Sequence, residues 1–176
     1  VPHAGWAFSG VTAAATLKAL ASRGRLARVL VFGADHWGIA EGAAVYERGS
    51  WATPLGEVVV DEEMASALLK ACPLLHADSD AHRREHSIEV QLPLMQVLSP
   101  AARIVPVNIS ASAAAAQAGR QIGQVLKRDF PGCSVLGSTD LTHYGPQYGF
   151  TPGGVGRAGV QWAKDNGIGV GPGRGS

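Results

Sequence analysis

Three short apolar runs decide what this chain can fold into. They are Ala27-Arg28-Val29-Leu30-Val31-Phe32-Gly33, Arg103-Ile104-Val105-Pro106-Val107-Asn108-Ile109 and Cys133-Ser134-Val135-Leu136-Gly137-Ser138. The first two are rich in β-branched residues, and each run is apolar at successive central positions. A strand with one face in water alternates, whereas a continuous run needs apolar neighbours on both faces, as in a parallel sheet covered by helices. The intervening segments supply those helices. One runs from a cap at Ser9 to a stop near Gly24, another covers 61–71 with Asp61 as its cap, and an alanine-rich one covers 112–129. A further helix is expected from Ser87 through Met95, despite Pro93, and another around Val160 to Lys164. Alternating helices and buried strands predict a three-layer α/β domain, with a mostly parallel sheet flanked by helices. A β excursion over 45–51 and 57–60, turned at Thr53-Pro54-Leu55-Gly56, interrupts the pattern.

Composition narrows the function classes. Hydrophobic residues make up 46% and charged residues 16%, which argues against intrinsic disorder. Fifteen Lys and Arg against 14 Asp and Glu leave no basic footprint for nucleic acid. No apolar run reaches the roughly 18 residues of a membrane span, and no signal core opens the chain, so a soluble cytoplasmic protein is expected. Cys72 and Cys133 lack metal or redox spacing and read as small core residues. Residues 1–166 read as a single domain, and the glycine-rich tail 167–176 as disordered.

The chemistry concentrates where apolar runs end, which is where open parallel sheets gather ligands. His3 follows Pro2, Asp35-His36 follow the first run, and Asp140 and His143 follow the third. A lone histidine is ordinarily solvated or capping; several at element ends are what a mononuclear metal site uses. A fourth cluster, His82-Arg83-Arg84-Glu85-His86, matches the H-x-x-E-H spacing of zinc peptidases, which requires His82 and His86 on one face of a helix. The preceding Ala77-Asp78-Ser79-Asp80 reads as a loop, which weighs against that face. Ser138, Asp140 and His143 stand too close together in sequence for a hydrolase triad. Residues 154–159 match G-x-G-x-x-G without a preceding strand, so they read as a loop. Trp6, Trp37, Trp51 and Tyr144 flank the histidines and are candidates for pocket walls.

Five ordered blocks together resemble the Memo family. They are Pro2-His3-Ala4-Gly5-Trp6, Gly33-Ala34-Asp35-His36, Trp51-Ala52-Thr53-Pro54-Leu55-Gly56, Glu85-His86-Ser87-Ile88-Glu89-Val90-Gln91-Leu92-Pro93 and Ser138-Thr139-Asp140-Leu141-Thr142-His143-Tyr144-Gly145. Microbial members are called AmmeMemoRadiSam system protein B, and the implied fold is that of class III extradiol, LigB-type dioxygenases. The resemblance implies that His3 and His36 are metal ligands and that His86 is a catalytic acid/base. The metal it implies is iron(II) or copper, and the chemistry is redox or dioxygenase-like, on a small aromatic diol. Animal members carry a cysteine where this chain has Thr142, a poor ligand, so Asp140 or His143 is the expected substitute. The alternative is a non-catalytic scaffold partnering radical-SAM and AMMECR-type proteins. Against the family pattern the chain is expected to be cut at both ends, with residues before Pro2 and after Lys164 missing.

Overall fold

A computed structural model describes residues 1–24, 26–140 and 142–167. The chain forms two compact units, Val1–Thr139 and Asp140–Ser176. The first is built on a five-stranded sheet in the order β5-β2-β6-β1-β7. Its strands are β1 (Arg28–Ala34), β2 (Ala43–Val45), β5 (Leu75–Ala77), β6 (Arg103–Ile109) and β7 (Ser134–Gly137), and a separate hairpin joins β3 (Ser50–Thr53) to β4 (Gly56–Val59). β1 pairs in parallel with β6 and with β7, β2 pairs in parallel with β5, and β2 meets β6 antiparallel.

Alternate residues of β1 point into opposite cores, as the continuous apolar run requires. Leu30 faces one cluster with Val105, Val107, Met64, Leu68 and Ile122, from helices α2 (Glu62–Ala71) and α4 (Ala113–Asp129). Val29 and Val31 face the other with Ile104, Leu17, Leu92 and Met95, from helices α1 (Trp6–Ala21) and α3 (Leu92–Leu98). The result is a three-layer α/β fold. Each fully buried aliphatic side chain contributes roughly 1.5–3 kcal/mol relative to exposure.

The helix caps follow the sequence in part. Asp61 Oδ1 accepts from Met64 N–H at 3.1 Å, and Ser112 accepts from Ala115 N–H. Ser9 does not cap: α1 begins three residues earlier, at Trp6, and the Ser9 hydroxyl donates back to Ala4 O at 2.7 Å. Val45 belongs to the main sheet and not to the excursion, because β2 finds its partners in β5 and β6. The third run forms an edge strand in which Val135 is exposed, so it is not buried on both faces. Residues 86–88 are not helical; α3 starts at Leu92, which puts Pro93 in a first turn whose N–H groups have no helical partner to lose.

In the second unit, α5 (Arg157–Asp165) packs Trp162 against Tyr144 and Phe150. Gly153 is required there, since a Cβ would lie 2.1 Å from that of Trp162. The tail predicted to be disordered lies, from residue 168 onward, outside the described residues. No helix among the described residues is long and apolar enough to cross a membrane.

Candidate metal centre

The centre lies beyond the carboxyl ends of β1, β6 and β7, where the parallel strands leave their last residues uncovered. His36 stands two residues past β1. His3 is brought alongside by its neighbours: Thr139 N–H donates to Val1 O at 2.8 Å, and Gln91 Nε2 donates to Pro2 O at 2.9 Å. His86 arrives on the non-helical segment before α3, whose Ser87 hydroxyl accepts from Ala34 N–H at 3.0 Å. The three imidazoles form a compact triangle, with ring centroids 5.1 Å apart for His3 and His36, 5.7 Å for His3 and His86, and 5.0 Å for His36 and His86.

Two of the rings are fixed from behind. The buried Glu85 carboxylate accepts from His36 Nδ1–H at 2.8 Å, and also from the backbone N–H groups of His36 at 3.0 Å and Ser87 at 2.9 Å. Burial alone would raise the Glu85 pKa, but these donors outweigh it and hold the group at about 2. Glu85 is therefore ionised and saturated with N–H donors. One of its oxygens and one nitrogen from each of His36 and His86 lie within 4.8 Å of one another, close enough to hold a metal ion together. The same carboxylate orients the His36 ring. Ser138 serves His3 in the same way. Its hydroxyl donates to Ser87 O at 2.6 Å, so it accepts from Gln91 Nε2 and from His3 Nδ1, each at 3.2 Å. In both histidines Nδ1 thus serves as the donor to these acceptors, which directs Nε2 away from them.

An imidazole binds a metal lying near its own plane, and two such ligands at about 2.0–2.1 Å from one tetrahedral ion have centroids roughly 5 Å apart. The His3 and His36 planes cross at 86°, which fits two donors to a common ion. His86 is stacked on His36, with planes 18° apart. His36, Glu85 and His86 form a group that could hold a metal ion, and the His3 ring stands beside it.

Asp140, Thr142 and His143 belong to the second unit, where His143 Nε2 lies 3.4 Å from Asp140 Oδ2 and Thr142 is exposed. Tyr144 belongs to that unit's aromatic cluster, where its hydroxyl donates to Gly154 O at 2.6 Å and accepts from Gly153 N–H. Trp37 lies under the Arg84 guanidinium, 4.5 Å from its ring centre, and Trp6 and Trp51 do line cavities. The peptidase arrangement is absent, because His82 ends a single 3₁₀ turn, Asp80–His82, and its Nε2 donates to Ala44 O at 3.1 Å. Sequence reasoning missed Glu85 as the partner of His36 and Ser138 as that of His3. Glu85 stood in view in the fourth block, but as a peptidase's base.

Residues 1–166 match the family described as Memo-like protein. The chain is 42% identical over 158 residues to a MEMO1 family protein of Thermococcus onnurineus, covering 86% of this chain and 54% of that protein. It is 41% identical over 160 residues to one of Pyrococcus abyssi, covering 86% and 54%. A third, from Methanopyrus kandleri, is 42% identical over 148 residues, covering 82% and 52%. The chain spans about half the length of the curated relatives it matches.

Proposed function

This chain belongs to the Memo-like protein family, and on that premise we propose that it performs metal-dependent oxidation of a small aromatic diol. In this reading His3 and His36 hold a divalent metal, iron(II) or copper, and His86 is the acid/base. The observation that carries it is the pair of perpendicular imidazoles, each anchored through Nδ1 by a buried acceptor. When bound, the metal supplies a Lewis-acidic, redox-active centre for dioxygen and the diol. The chain's own residues do the rest. Glu85 and Ser138 keep both ligand rings in one tautomer, while the half-exposed His86, 5.0 Å from His36, stands where it can take a proton from a substrate hydroxyl.

Anaerobic loading with iron(II), gel filtration and elemental analysis test the ligand assignment. Near-stoichiometric metal is expected in the parent and in His86→Ala, and its loss in His3→Ala and His36→Ala. Oxygen uptake with a panel of catechols tests the chemistry, with uptake expected from the loaded parent and not from His86→Ala. Less than about 0.1 metal per chain in the parent would end the metal reading. Metal without uptake would end the dioxygenase one.

A further inference from the structure

Three of the sequence blocks converge on a two-lobed groove that the metal site leaves unexplained. The first lobe, about 330 Å³, is walled by Tyr46, Trp51 and His82 and includes Glu85 and Glu89 in its lining. The second, about 340 Å³, is lined by Trp6, Pro54, Val90 and Pro93. Ala52 and Glu89 line both lobes and so mark their junction. The Trp6 wall is anchored, because its indole Nε1–H donates to Val90 O at 2.8 Å.

Charge is unevenly distributed over this surface. Asp80 faces Arg83 at 3.5 Å, so those two largely offset each other. Glu85 is committed to His36 and Ser87. Glu89 is exposed and makes no ion pair among the described residues, and no cationic side chain lines the second lobe. A group at the junction therefore meets one uncompensated carboxylate, with indole rings lining the cavity on either side.

We propose that this groove binds a small aralkyl amine, with its ammonium on Glu89 and its ring in the lobe formed by Trp6, Pro54 and Pro93. An ammonium gains a charge-assisted hydrogen bond from the carboxylate and attraction from the aromatic faces, while the lobe takes the apolar arm. A carboxylate of the same shape meets repulsion from Glu89. The amine's binding is independent of the metal and of the metal-site reading.

Titration of the 176-residue chain with 2-phenylethylamine, 3-phenylpropionate and 3-phenylpropanol, followed by the tryptophan indole N–H resonances, tests this in the presence of EDTA. Saturable binding of the amine is expected, at least about tenfold tighter than of the acid, and weakened about tenfold in Glu89→Gln. Trp6→Leu should weaken the amine and the alcohol alike. Circular dichroism checks that both variants fold, and both positions are exposed enough to be changed without opening the core. Equal affinity for amine and acid, or no saturable binding of the amine, would overturn the proposal. So would binding that appears only with added metal, since the amine would then be a metal ligand. Amine binding with EDTA in a chain that takes up no metal would support the groove while the metal reading fell.

Discussion

Glu85 grips His36 at two points, accepting from its ring Nδ1–H at 2.8 Å and from its backbone N–H at 3.0 Å. A carboxylate held this way sets both the position of the loop after β1 and the face that the imidazole shows to a ligand. Glu85→Gln keeps the shape but puts an amide N–H where one acceptor stood, so His36 loses its fixed tautomer. Metal affinity should fall by about 10–100-fold, the usual cost of removing such a partner. Calorimetric titration with zinc(II), a redox-inert probe, measures it; an unchanged affinity would leave the carboxylate a purely structural role.

Ser138→Ala tests the second anchor. The change removes the acceptor of His3 Nδ1 and of Gln91 Nε2 together with the donor to Ser87 O. Gln91 Nε2 keeps its bond to Pro2 O, but a buried network that loses its shared hydroxyl is destabilised by about 1–3 kcal/mol. A drop of that size in urea stability is expected, along with weaker zinc binding. Ser138→Thr, which retains a hydroxyl, should recover part of the binding, and a failure to do so would point to packing and not to the hydrogen bonds.

The legible parts of this fold are those whose physical cause is local. β1 and β6 could be read from the chain because a strand buried on both faces leaves a continuous apolar run, and His36 followed because strand ends carry sites. β2 and β5 have three residues each, too few to show any period, and they exist because β6 offers β2 an open edge. The start of α1 was hidden because Gly5 precedes it with no side-chain cap, while Ser9 imitates one. The pairing of His36 with Glu85 spans 49 residues, and no spacing rule reaches that far. The histidines that follow the elements were therefore readable, whereas the side chains that hold their rings were not.

Gly33 shows how tightly the site is backed. A Cβ there would lie 2.6 Å from both Ile88 Cγ1 and Ser87 Oγ, and 2.8 Å from Asn108 Oδ1. These atoms belong to the segment that carries His86 and to the end of β6, so neither can retreat without moving the site. Gly33→Ala should destabilise the protein by about 1–3 kcal/mol through overpacking. Urea denaturation checks the loss, and stability equal to the parent would mean that the close approach is absent in solution.

His82 should make stability depend on pH in a window of its own. Its ring is buried beside Tyr46 and Trp51, and its Nδ1 has no partner among the described residues. Burial lowers its pKa to about 4, against smaller upward pulls from the Ala44 carbonyl and from the Asp78 and Glu85 carboxylates. Between about 4 and the ordinary 6.5 the unfolded chain binds a proton that the folded chain refuses, so acidification favours unfolding. The contribution is fully present above pH 6.5 and is lost as pH falls toward 4, amounting to about 3 kcal/mol. Glu85, held at about 2, acts lower: its stabilisation is intact above about 4.5 and disappears as pH falls through its folded value. Urea midpoints at pH 7, 5.5 and 4 should fall steadily in the parent, and less steeply in His82→Phe, which has nothing to protonate at that position. The histidine C2–H resonances provide the direct reading: one should titrate near pH 4 in the folded protein, and a set that all titrate near 6.5 would contradict the burial of His82.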